Sequence, residues 1–262
     1  MVQPQNNGCL FGARTLLFQA VAKLQRLRLS PLLPLVDGSL GVPPLRRKAG
    51  QKISSSSLKI LFISGCHLYR DLEICAANLN HLSILDPTFE SPRGSIIVTR
   101  DLCSLVKAWI SLRSGVHGDR DEILDHGILD GLSHVTTLEL HAPLPELTLE
   151  SCLQTCPVFS NLIRLVLGEW YMASDFSPLL FILRRSPKLK DLTFKLGMEQ
   201  CVLCKDAADR DLSPRKESSP GGCPRIERTM IYCGKDDLRV SALVQVLLPI
   251  VIPGGEISIK GY

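Results

Sequence analysis

Four cysteines in the C-terminal third have the spacing that comes closest to a metal site. Cys201 and Cys204 are separated by two residues, and Cys223 and Cys233 follow, separated from each other by nine. A structural zinc site needs two close cysteine pairs, or a cysteine pair with a histidine pair, because four ligands must converge on the ion. The second pair is too widely spaced for this pattern. We therefore expect unligated thiols, with a zinc site as the alternative.

A second candidate for ion binding is the polar stretch from His117 to His126, which contains two histidines and four carboxylates. Carboxylates are ligands for hard divalent cations, but a calcium loop places its oxygen ligands at alternate positions around a central glycine. That spacing is missing here. We interpret the stretch as a solvated loop, and we expect no metal.

Motifs for covalent or cofactor chemistry are not found in the chain. It contains no G-x-S-x-G nucleophile elbow, no phosphate-binding P-loop, no G-x-G-x-x-G after a strand and no H-E-x-x-H. The sequence therefore predicts a protein that is not an enzyme, with no catalytic residues and no cofactor.

Composition and charge argue against several functional classes of protein. The 262 residues are 45% hydrophobic and 21% charged, which is typical of a folded protein. The net charge is +4, but residues 1–60 hold nine Lys or Arg against one acid, so the rest of the chain carries −4. A mildly acidic folded part argues against nucleic-acid binding. The longest apolar stretch, Ala242–Ile252, is too short to span a bilayer, and no secretory signal is recognisable. We expect free thiols and a cytoplasmic or nuclear protein.

Residues 1–50 differ from the rest and are interpreted as a separate basic segment. Gly12–Leu29 has apolar residues at helical spacing and predicts an amphipathic helix, followed by a linker rich in proline and glycine. Three interpretations stay open: an organelle-targeting segment, since the helix is basic and lacks acids, a helix that caps the first repeat, or a remnant of a longer natural chain.

The folded domain is assigned to residues 51–262 because that part repeats itself. Leu138, Leu165 and Leu192 are spaced by 27 residues, and Leu140, Leu167 and Phe194 keep the same register. Helical segments at 147–155 and 176–185 separate these strands, and a flexible insertion is expected at about 197–224. A period of 27 is within the range of leucine-rich repeats. The sequence thus predicts an α/β leucine-rich-repeat solenoid, with a curved parallel sheet and helices or irregular segments on its convex side.

The alternation of side chains along a strand predicts which residues face a partner. With the leucines inward, the neighbouring residues point to the concave surface, which solenoids commonly use for binding. The predicted partner-binding residues are Thr137, Glu139, His141, Arg164, Val166, Asp191, Thr193 and Lys195.

From about residue 57 to the end, the chain resembles the plant F-box/leucine-rich-repeat proteins. The resemblance is carried by five stretches, namely Leu58–Cys66, Leu105–Ile110, Leu129–Leu140, Pro157–Leu167 and Ser186–Thr193. It implies a substrate-recognition subunit of a cullin-type ubiquitin ligase, in which an F-box binds the Skp-type adaptor and the repeats bind the protein to be modified. Residues 1–50 contain no recognisable F-box, so adaptor binding is assigned to no residue here.

Three alternatives remain at this point. Besides a ligase subunit, the chain could be a ligase-independent repeat scaffold or regulatory binding protein, a truncated family member without function, or a hydrolase or metal-dependent enzyme with leucine-rich packing. The hydrolase alternative predicts a convergent polar pocket, whereas a repeat module predicts an open sheet face.

Overall fold

The computed structural model describes residues 25–30, 51–68, 72–89, 96–99, 102–111, 127–141, 156–168, 176–196, 222–235, 237 and 239–262. These residues form a mixed α/β structure dominated by a large parallel sheet. The sheet has nine strands: β1 (Arg26–Leu29), β3 (Ile60–Ser64), β6 (His81–Leu85), β9 (Lys107–Ser111), β10 (Thr137–His141), β11 (Arg164–Gly168), β12 (Asp191–Lys195), β13 (Ile226–Cys233) and β14 (Val251–Gly261). The strands lie side by side in the order in which they occur in the chain.

One buried sequence pattern explains why these strands form. Before and along seven of the strands, apolar residues occupy the first, fourth and sixth positions of a six-residue unit, so that a turn residue and two strand residues point inward. The units begin at Leu58, Leu79, Leu105, Val135, Leu162, Leu189 and Ile226, and the three inward positions of each are buried. Thr229 is the single polar residue among them. Because each strand has one buried face, the register between neighbours is fixed.

Smaller elements lie on the other side of the core. A three-stranded parallel sheet consists of β2 (Gln51–Ser54), β5 (Leu72–Cys75) and β8 (Ile96–Val98), and a two-stranded one of β4 (His67–Leu68) and β7 (Thr88–Phe89). The inward side chains of the three-stranded sheet belong to the same hydrophobic cluster as those of the large sheet. The outward residues Lys52, Glu73 and Ile97 therefore lie on the opposite surface.

Three described helices lie further along the chain than the smaller sheets. They are α1 (Gly127–Asp130), α2 (Ser177–Arg184) and α3 (Arg239–Leu247). Helix α1 packs against β8, and Gly131 allows this approach because a Cβ there would overlap Val98. Helix α2 ends before Ser186-Pro187, as expected when proline follows a helix.

The strands predicted around Leu138, Leu165 and Leu192 and the helix predicted at 176–185 are confirmed to within a few residues. The helix predicted over Gly12–Leu29 is wrong at its end. Arg26–Leu29 is a strand, because Leu27 and Leu29 align with the buried Leu61 and Ile63 of β3. The rest of that prediction, the helix at 147–155 and nearly all of the insertion at 197–224 lie outside the described residues.

Candidate functional site

The outward side chains of the nine-stranded sheet form a surface that we call the open face. Parallel register aligns them into three rows that cross the strands. The first row is Arg26, Ile60, His81, Lys107, Thr137, Arg164, Asp191, Arg228 and Glu256. The middle row is Arg28, Phe62, Ser83, Trp109, Glu139, Val166, Thr193, Met230 and Ser258. The third row, which starts at β3, is Ser64, Leu85, Ser111, His141, Gly168, Lys195, Tyr232 and Lys260.

All eight predicted partner-binding residues lie on the open face. Thr137, Arg164 and Asp191 are neighbours in the first row, and Glu139, Val166 and Thr193 are neighbours in the middle row. In the third row, Gly168 separates His141 from Lys195. Each of the eight is exposed or half-buried. That a partner binds to them stays a prediction.

Two arginines share one carboxylate in the first row. Both oxygens of Asp191 accept hydrogen bonds from Arg228, at 2.8 and 3.1 Å, and Oδ2 also accepts one from Arg164 at 3.4 Å. Burial raises the pKa of Asp191, but these cationic donors outweigh it, so the pKa lies below its usual range. The Asp191 side chain is only 15% exposed, whereas those of Arg164 and Arg228 are 57% and 66% exposed. The group thus presents an excess positive charge and outward-facing donors.

A second ion cluster extends from the third row to the middle row. One carboxylate oxygen of Glu139 accepts hydrogen bonds from Lys195 Nζ and is paired with His141 Nε2, both at 2.7 Å. Burial raises the pKa of Glu139, but the hydrogen bonds from Lys195 and His141 prevail and lower it. Lys195 lies two strands away from Glu139, so its side chain must cross β11.

Gly168 is the residue that makes this cluster possible. It lies on β11 between His141 and Lys195, and a Cβ at this position would overlap the imidazole ring of His141. With no side chain on Gly168, the ring lies over the backbone of β11 and Lys195 reaches Glu139 across it. The close approach therefore requires glycine.

Apolar side chains occupy much of the middle row. The indole of Trp109 is 42% exposed, and its ring centroid lies 6.2 Å from that of His141. Phe62, Val166 and Met230 share the row and are half-buried. A large aromatic side chain held on an open surface is a common anchor for a protein partner.

Several of these residues were missed by reasoning from the sequence. Lys107 and Trp109 lie in a stretch that reads only as a generally apolar segment. Arg228 and Met230 lie in a strand for which the sequence does not indicate which side chains point outward. The six-residue unit would have found them, because its fourth and sixth positions define the inward side and leave the third and fifth positions outward.

The described residues give no evidence of a metal site or of a reactive thiol. Among them, no group of three or more His, Cys, Asp or Glu side chains is placed to hold a metal ion. Cys201, Cys204 and the stretch 117–126 lie outside these residues. Burial raises the pKa of the Cys223 and Cys233 thiols, which weakens them as nucleophiles and as metal ligands.

Comparisons with protein families, curated proteins and solved structures give no match to this chain. In the part of the chain that the structure describes, no helix is long and apolar enough to cross a membrane.

Proposed function

We propose that the chain is a leucine-rich-repeat solenoid whose open face, on the concave side, binds a partner protein. The observation that carries this proposal is the recurrence of one buried six-residue unit on seven strands that are parallel and stacked in chain order. The unit that begins at Leu58 is also followed by Cys66 and Leu68, which occupy the next two consensus positions of a leucine-rich repeat. Such units are stable only when stacked, and stacking aligns their outward residues into an extended surface.

The resemblance to F-box/leucine-rich-repeat proteins makes a ligase substrate-recognition role the first candidate. In this role the chain is a non-enzymatic subunit of the cytoplasm or nucleus, and the open face selects the protein to be modified. The stretches that carry the resemblance coincide with β3, β9, β10, β11 and β12. The ligase-independent scaffold is the second candidate, because no described residue is assigned to adaptor binding.

Affinity purification from plant cells tests both candidates. The intact chain is compared with a variant carrying Trp109→Ala and Arg164→Gln on the open face, and with Lys52→Gln on the opposite surface as a control. We expect a protein to be retained by the intact chain and the control and lost from the open-face variant. Recovery of a Skp-type adaptor and a cullin supports the ligase role, and their absence supports the scaffold. Retention that does not depend on the open face contradicts the proposed binding surface.

A further inference from the structure

The charge of the open face indicates the chemistry of its partner. Its three rows contain seven Lys or Arg and three Asp or Glu, an excess of four positive charges. All three acids are on β10, β12 and β14, and two of them are already paired with cations of the same surface. A partner with negative charge would be complementary to this surface.

Three of the four cations in the first row are evenly spaced, and the fourth, Arg26 on β1, lies three strands before them. Lys107, Arg164 and Arg228 lie on β9, β11 and β13, so one strand separates each from the next. All three residues are exposed. Neighbouring strands are about 4.8 Å apart, which places successive cations about 9.6 Å from one another.

This repeat distance favours some backbone conformations of a peptide segment that runs across the strands. In an α-helix, side chains on one side recur after two turns, at about 10.8 Å, which is longer than the distance across two strands. In a β-strand, side chains on one side recur every two residues, at about 6.6 Å, and this interval does not match. In a polyproline II helix, side chains on one side recur every three residues, at about 9.3 Å, which matches closely. Such a segment also has a low ordering cost, because its conformation is largely preformed.

Trp109 supplies the apolar contact that such a segment needs. It is two residues after Lys107 on the same strand, so it lies directly beside the row of cations. Polyproline II segments dock on exposed aromatic rings, and the 42% exposure of Trp109 leaves its indole accessible to them.

We propose that the open face binds an extended acidic segment of a partner protein in the polyproline II conformation. Acidic residues at every third position pair with Lys107, Arg164 and Arg228, and a proline or other apolar residue near the first of them packs on Trp109. This inference rests on the proposed function, since it specifies the partner of the same surface.

Selection from a displayed library of random 12-residue peptides tests the inference with the full chain. We expect enriched peptides to carry acids three residues apart and proline nearby. A synthetic peptide of this type should bind at least about tenfold more weakly to Arg164→Gln/Arg228→Gln and to Trp109→Ala. Binding to the control variant Lys52→Gln/Lys188→Gln, which removes two cations outside the open face, should be unchanged. Binding should weaken as salt is raised. Thermal unfolding of each variant establishes that it is folded.

Four results would refute the proposal that the partner is an acidic segment. Two concern the acids of the peptide: equal binding when glutamine replaces each acid, and equal binding when the acids are two residues apart. The other two are a selection that enriches no peptide, and displacement of the peptide by an equal concentration of polyuridine, a nucleic acid. If the enriched peptides are neutral and their binding requires Trp109, only the acidic character of the partner is refuted. The open face then still stands as the proposed protein-binding surface. If partner capture in the purification experiment is also insensitive to the open face, the proposed function fails as well.

Discussion

Replacing Leu165 by alanine tests whether the inward side chains form one continuous core. Leu165 lies on β11 between Leu138 and Leu192, and it has no exposed surface. The substitution removes three carbon atoms, which corresponds to roughly 2.4 kcal/mol of transfer free energy at about 0.8 kcal/mol each. The cavity left between two packed neighbours adds to this loss, so we expect unfolding to become about 3–4 kcal/mol easier.

Val166→Ala is the matched control, because Val166 is the next residue on the same strand and points to the open face. It is half-buried, so we expect a loss below about 1.5 kcal/mol. Denaturant unfolding followed by circular dichroism measures both variants, with unchanged m values as the condition for comparing them. The thermal midpoint of Leu165→Ala should fall by roughly 6–12 °C. Equal losses for the two variants would refute the assigned register.

Three further substitutions test individual contacts, each by the denaturation midpoint. Gly168→Ala should destabilise the protein by about 1–3 kcal/mol because the new methyl group overlaps His141. Adding His141→Ala should restore most of the lost stability. A double variant that is no more stable than Gly168→Ala would contradict the overlap. Asp191 has a lower pKa when folded than when unfolded, so its contribution is complete above the unfolded value of about 3.9 and is lost as pH falls through the folded value. Asp191→Asn should therefore flatten the decline in stability below about pH 4, and an unchanged decline would contradict this. Thr229 is 2% exposed, and its hydroxyl has no hydrogen-bond partner among the described residues. Thr229→Val should therefore stabilise the protein by about 1 kcal/mol. A loss of stability would indicate that the hydroxyl has a hydrogen-bond partner.

The sequence is informative about the strands whose pattern is regular. Around Leu138, Leu165 and Leu192, equal spacing predicts the strands, their parallel alignment and the residues that face outward. The pattern is harder to recognise where the repeat length varies, as it does between β6 and β10. There the six-residue unit is preserved although the intervals are not, because the buried face of the parallel sheet fixes the inward positions, whereas the connecting segments can differ in length.

Two features of the candidate site depend on contacts that local sequence does not contain. The bridge from Lys195 to Glu139 joins residues 56 positions apart, and it requires Gly168 on the strand between them. The strand Arg26–Leu29 has helical periodicity in the sequence, but it pairs with β3 in the fold. Tertiary pairing outweighs a local preference of this size.

Photo-cross-linking from the open face tests whether this surface binds a partner protein. A photoreactive amino acid is placed at Thr193, among the half-buried residues of the middle row, and in a second protein at Ile97 on the opposite surface, which is 40% exposed. Each protein is irradiated in a cell extract, and the cross-linked peptide is sequenced. We expect a defined partner segment, rich in acidic residues, to be attached at position 193 and not at position 97. Cross-linking of the same partner from position 97, with none from position 193, would contradict the proposed binding surface.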